Sequence, residues 1–153
     1  MEIDADMDFQ RRLWLAQRVG WLIIGIVIIA AICGVFGTGP FSRASAESGG
    51  LRVEYERFGR LQQPMKVRFV LSEAKHGAQI ALSRAYLNSL HVEQIVPLPS
   101  EVEAAGPWLV YRFAGPGPLA VAFDIKAEEF GRLRGSARAG GGNAVAFRQF
   151  IYP

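Results

Sequence analysis

Few side chains in this sequence can carry acid–base, metal or nucleophilic chemistry, and their spacing does not gather them. His76 lies in the turn "EAKHGA" and His91 at the head of an extended segment, and neither has a second ligand or a carboxylate at a useful spacing. A metal site needs three or four converging His, Cys, Asp or Glu ligands. Residues 51–153 contain no cysteine and one aspartate, Asp124. Carboxylates occur in pairs at Glu54/Glu56, Glu101/Glu103 and Glu128/Glu129. General acid–base work would require one member of a pair to be desolvated so that its pKa rises. Glu54 and Glu56 instead share the polar side of an alternating segment, where charge keeps the surface wet. No serine sits in G-x-S-x-G, and the glycines of "GTG" and "AGGGN" lack the helix and lysine of a phosphate cradle. The sequence predicts no enzyme, no cofactor and no metal site.

Two segments combine arginine with aromatics. In "VEYERFGRLQQP" (53–64), Arg57 and Arg60 flank Phe58; in "FRQFIYP" (147–153), Arg148 lies among Phe147, Phe150 and Tyr152. Arginine clustered with aromatic rings is enriched at protein contacts. If the first and last strands are neighbours, Arg57, Phe58, Arg60, Arg148 and Phe150 form one patch for a partner. The competing reading is two ordinary strands with aromatic cores and arginine rims.

The elements that must position these residues fall into two compositional parts. "WLIIGIVIIAAICGVFG" opens a run, residues 21–36, with no charge and no polar side chain beyond the indole of Trp21. Extended upstream past Arg18 to Leu13, it covers 24 residues, enough at ~1.5 Å per residue to cross a ~30 Å hydrocarbon layer. Arg18 can snorkel and Trp14 and Trp21 suit the interface. The run is apolar on all sides, unlike the striped helix of a small soluble protein. We therefore expect a transmembrane helix over 13–36 after a cytoplasmic segment, 1–12. "ASA" (44–46) offers a signal-peptidase-like site, but it lies ten residues beyond the run and acids precede the run, so a retained anchor is favoured. Arg11, Arg12 and Arg18 precede the helix and only Arg43 follows closely, which places the N-terminus in the cytoplasm and the C-terminal domain outside. Ala30, Gly34 and Gly37 offer a small-residue face to another helix. The lone Cys33 lies inside the run, so no intramolecular disulfide forms.

Residues 37–50, rich in Gly and Ser, read as a flexible linker. From residue 51 the pattern is two-residue alternation broken by turns: "LRVEYERF", "MKVRFVL", "AQIALS", "HVEQIV", "WLVYRF", "LAVAFDI", a weak "RLRGSARA", and "AVAFRQFIY". Two short helices are expected, at "SRAYLNSL" (83–90) and "KAEEFGRL" (126–133). Seven or eight strands within residues 51–153 predict an immunoglobulin-like antiparallel β-sandwich, without the Cys–Trp–Cys core of antibody domains. The net charge of +3 is spread out and makes no basic stripe, which argues against nucleic acid.

"DFQRRLWLAQRVGW", "VEYERFGRLQQP", "IVPLPS" and "FRQFIYP" together resemble a family of small single-pass bacterial inner-membrane proteins with a periplasmic β-sandwich domain. The resemblance runs over nearly all of the chain. It implies an inner-membrane anchor with the β-domain in the periplasm, and it supplies no activity and no catalytic residue. The expected function is a non-catalytic membrane-anchored interaction protein, an accessory subunit of a larger inner-membrane partner or a homo-oligomer. The alternative is a tethered periplasmic binding module for a small molecule, peptide or glycan.

Overall fold

The computed structural model describes residues 3–32, 42–72, 77–115 and 118–153, without the side chains of residues 3–9 and 11. One helix, α1 (Ile3–Ile32), precedes an all-β sandwich. Residues 3–12 contain neither Pro nor Gly, so nothing breaks the helix before the polar N-terminal segment. Its Arg12–Ile32 stretch of 21 residues has a mean hydropathy of 2.2, and none of it is buried. Cys33, Gly34, Gly37 and His76 lie outside the described residues.

The sandwich has eleven strands among the described residues. The first sheet contains β1 (Arg43–Ser48), β2 (Leu51–Glu56), β4 (Pro64–Leu71), β9 (Leu119–Ala127) and β6 (Leu90–Val96), in that order. The second contains β3 (Phe58–Arg60), β11 (Val145–Tyr152), β10 (Gly131–Ala139), β5 (Ala78–Ser83), β8 (Trp108–Phe113) and β7 (Glu101–Ala105). A four-residue helix, α2 (Arg84–Leu87), links β5 to β6. Period-2 patterning puts the apolar residues inside: Met65, Val67, Phe69 and Leu71 of β4 face inward, as do Val121, Phe123 and Ile125 of β9. Phe123 meets Phe69 edge-on at 5.2 Å within its own sheet and Tyr111 of the opposite sheet at 5.2 Å. Burying each such ring stabilises the fold by ~1.5–3 kcal/mol.

The expected seven or eight strands become eleven through three local features. The linker read over 37–50 gives way at Arg43, because "RASAES" alternates and Gly49–Gly50, both at positive φ (58° and 78°), close a hairpin with Ser48 opposite Leu51. The single strand expected over 51–58 divides at Arg57, and β3 joins the other sheet, running parallel to β11. That parallel ladder corrects the expectation of a wholly antiparallel sandwich. Gly59 permits it, since a Cβ there would stand 2.0 Å from Met65 Sδ. The third extra strand, β7, lies on the sheet edge with every residue exposed. Its Glu101 and Glu103 accept from Arg112 Nη1 and Nη2 at 2.6 and 2.8 Å, so this carboxylate pair clamps an arginine. The weak segment "RLRGSARA" is the full strand β10, and 126–133 is the end of β9, a turn over 128–130 and the start of β10 instead of a helix.

Under the β3–β11–β10 edge, Phe147 packs against Tyr55 at 5.2 Å and Tyr86 at 5.0 Å, with its ring over Gly135. Buried Gln149 ties this corner together: Tyr86 Oη donates to its Oε1 at 2.5 Å, and its Nε2 donates to the Glu56 carbonyl at 2.9 Å.

A Cβ at Gly135 would meet the Phe147 ring at 2.2 Å. Gly135→Val therefore destabilises the full chain by ~1–3 kcal/mol in denaturant titration, and an unchanged midpoint would refute this packing. Burial pushes the Tyr86 hydroxyl well above its ordinary 10.0. Its stabilising contribution is fully present below that pH and is lost as the pH rises above it toward the raised folded value. Tyr86→Phe should accordingly flatten the alkaline loss of stability, and a loss as steep as in the unaltered chain would contradict this.

Candidate functional site

The outer face of the six-stranded sheet, at its β3–β11–β10 edge, carries an open concavity of about 660 Å³. Alternation along β11 buries Phe147, Gln149 and Ile151 and turns Arg148 and Phe150 outward. β10 buries Leu133 and Gly135 and turns out Arg132 and Arg134. Register sets these residues in rows. Arg132 is opposite Phe150, which is beside Phe58; Arg134 is opposite Arg148; and Tyr152 is beside Arg60. Phe58 stacks on Tyr152 at 6.2 Å, and Phe150 meets Tyr152 edge-on at 5.0 Å.

Of the residues proposed from the sequence, Arg57, Phe58, Arg148 and Phe150 line this concavity together. Arg60 is on the adjoining β3 but outside the lining. Ala30 is on α1 and not in the lining; Gly34 and Gly37 are not described. Sequence reading missed Arg132 and Arg134, because "RLRGSARA" has no strong apolar alternation: Gly135 and Ala137 take the inward positions where larger residues would signal a strand. It also missed Gln149, a polar residue at an inward position, whose role needs the distant Tyr86 and Glu56.

The charge balance distinguishes the site. Arg57, Arg132, Arg134 and Arg148 line it, no carboxylate does, and none of the four is in an ion pair among the described residues. Like charges directly opposite on neighbouring strands are destabilising, and Arg134 faces Arg148 without relief. A second concavity of about 470 Å³ on the five-stranded sheet is built differently. There Arg43 is opposite Glu56 and Glu54 opposite Arg68, so its charges are matched across strands. Planar guanidinium groups bind phosphate or carboxylate through two parallel N–H bonds. The first concavity can thus hold an anion against an aromatic wall.

Other positions do not gather chemistry. His91 is exposed at the start of β6, and among the described residues no three His, Cys, Asp or Glu side chains converge. Ser72 and Lys75 have S-x-x-K spacing, but Ser72 lies in the bend just after β4 with its N–H donating to the Gly50 carbonyl at 3.1 Å, and Lys75 lies outside the described residues.

No protein-family model and no curated protein matches the chain. Among solved structures, it is similar to a cohesin module from a Clostridium perfringens family 33 glycoside hydrolase, at 10% identity and TM-score 0.44, covering 68% of this chain and 96% of that one. It is also similar to a non-cellulosomal cohesin from the archaeon Archaeoglobus fulgidus, at 17% identity and TM-score 0.38, covering 73% and 92%.

Arg148→Glu converts the opposed cations into an opposite-charge pair and should raise stability by ~0.2–1 kcal/mol at low salt. Arg134→Glu should do the same, while the double variant restores repulsion and loses the gain. Strict additivity of the two gains in denaturant titration would refute the cross-strand contact.

Proposed function

We propose that this chain is a non-catalytic, membrane-anchored interaction protein, an accessory subunit of a larger inner-membrane partner. In this reading α1 spans the bilayer with its N-terminus in the cytoplasm, and the β-sandwich, immunoglobulin-like in general plan, stands in the periplasm. The observation that carries it is the pairing of Arg134 with Arg148 beside exposed aromatics and without an internal counter-charge. Such a face is completed from outside the chain. The anchor rests on the 21-residue stretch Arg12–Ile32, with a mean hydropathy of 2.2 and none of it buried. Arg18 over the Trp14 ring at 4.5 Å fits an interfacial pair at the end of the span.

The placement of polar groups supports an accessory role. The open face offers arginines and rings that grip, and no carboxylate lines it. The Arg12–Ile32 stretch of α1 is unburied and open to another membrane helix, with Ala30 on its small-residue face. The second reading, a tethered module for a small molecule, peptide or glycan, draws on the 660 Å³ concavity, a volume within the range of ligand sites.

Two measurements test the leading reading. The chain should stay with membranes through an alkaline carbonate wash, and release into the supernatant would overturn the anchor. Crosslinking in native membranes followed by mild-detergent purification should recover one membrane protein in fixed ratio, and Ala30→Leu should reduce that recovery several-fold. Recovery of the monomer alone would overturn the accessory role.

A further inference from the structure

We propose that the arginine face binds the headgroups of anionic phospholipids, such as phosphatidylglycerol, in the same membrane that holds α1, and so lays the sandwich down on the bilayer. This rests on the anchoring reading above and names the anion that completes the face. Three observations converge on it.

The first is where the chain enters the sandwich. The Ser42 carbonyl accepts from the Arg57 N–H at 2.6 Å, so the entry point adjoins the edge of the arginine face. Only residues 33–41 separate Ile32 from Ser42, and fully extended they reach no more than ~35 Å. The covalent connection thus keeps the entry point beside this face within ~35 Å of the end of α1.

The second is the apolar content at that end of the sheet. Phe130, 71% exposed, stands in the turn that leads through Gly131 to Arg132, opposite the end of β11. Phe150, 38% exposed, is opposite Arg132. Aromatic rings beside cations suit a headgroup layer, where the ring reaches the acyl boundary and the guanidinium meets phosphate. Glu128 and Glu129 precede Phe130 but are not in the lining.

The third is the charge. Arg57, Arg132, Arg134 and Arg148 meet no carboxylate within the lining. An acidic protein segment would satisfy these charges equally well. What favours lipid is the nearness imposed by the chain and the exposed Phe130 beyond the rim, which a single acidic peptide in the concavity would leave unused.

The test uses the full chain in nanodiscs of zwitterionic phosphatidylcholine, with and without anionic phosphatidylglycerol, read by hydrogen exchange at residues 57–60 and 128–134. Exchange should be roughly fivefold or more slower in the anionic discs, and the difference should fade at ~0.5 M salt. Arg132→Glu with Arg134→Glu should abolish the slowing, with β9 amides unchanged as evidence that the fold is kept. Arg148→Gln, which also relieves the opposed charges, should reduce it in part. Equal exchange in both disc types would overturn the proposal. So would the same slowing in zwitterionic discs on adding inorganic phosphate. Slowing by polyglutamate in zwitterionic discs that equals that of anionic lipid would overturn it in favour of an acidic protein segment. A chain retained by neither disc type would refute the anchor itself, an outcome distinct from a retained chain whose exchange ignores lipid charge.

Discussion

The structure turns on the two backbone hydrogen bonds of Arg57. Its N–H donates to the Ser42 carbonyl at 2.6 Å, and its own carbonyl accepts from the Phe150 N–H at 2.7 Å. The first bond holds the chain beside β1 of the five-stranded sheet, and the second delivers it to β11 of the six-stranded sheet. Between them the polypeptide changes layers within one residue. A crossing that tight would leave buried backbone groups unpaired unless both layers supplied partners. Because both do, β3 can run parallel to β11 and add the row that turns an ordinary sheet edge into a concavity.

The floor beneath that concavity is rigid for a separate reason. Gly135 has no Cβ, which leaves room for the end of the Phe147 ring against β10, and the ring is then held by Tyr55 and Tyr86 from two other elements. Gln149 fills the next inward position with a polar side chain whose acceptor and donor are both used, by Tyr86 and by the Glu56 carbonyl. A satisfied polar group of this kind fixes one arrangement, because alternative packings would strand it. The exposed arginines are therefore displayed on a scaffold whose geometry is set from inside, and little backbone ordering is left to be done when an anion arrives.

Much of this was legible in the sequence, and the rest was hidden for identifiable reasons. The apolar run, the two-layer β-architecture and most strands follow from periodicity alone, since long side chains at alternate positions leave an unmistakable signal. The juxtaposition of 57–58 with 148–150 could be posed from the sequence only as a conditional, because it depends on which strands are neighbours. β1 escaped notice because its inward residues are Ala44, Ala46 and Ser48, too small to mark a buried face, although Gly49–Gly50 was a hairpin signal. β10 was faint for the same reason: its inward Gly135 and Ala137 make room for the large Phe147. Small residues that accommodate a neighbour are silent in a hydrophobic pattern, and here they concealed Arg132 and Arg134, half of the cations in the site.

Electrostatics alone would be a thin argument for function, because exposed arginines in water repel one another weakly. Its weight comes from comparison within the same molecule. Elsewhere the sandwich matches charges across strands: Arg43 with Glu56, Glu54 with Arg68, and Arg112 held by two glutamates. At those positions an acid stands across the strand from a base, whereas Arg134 and Arg148 stand across from each other, a local departure from that pairing. Departures of that kind gather at sites where something outside the chain supplies the missing term. Here the departure coincides with exposed rings and with the point where the chain enters from its apolar helix. The three features share no structural necessity: a sandwich could bury Phe130 and Phe150, admit its chain at the far end, or balance its arginines without changing its core. Their coincidence at one edge is what the proposed contact with an anionic membrane surface would require, and it makes that edge the part of the domain where the proposal is most exposed to test.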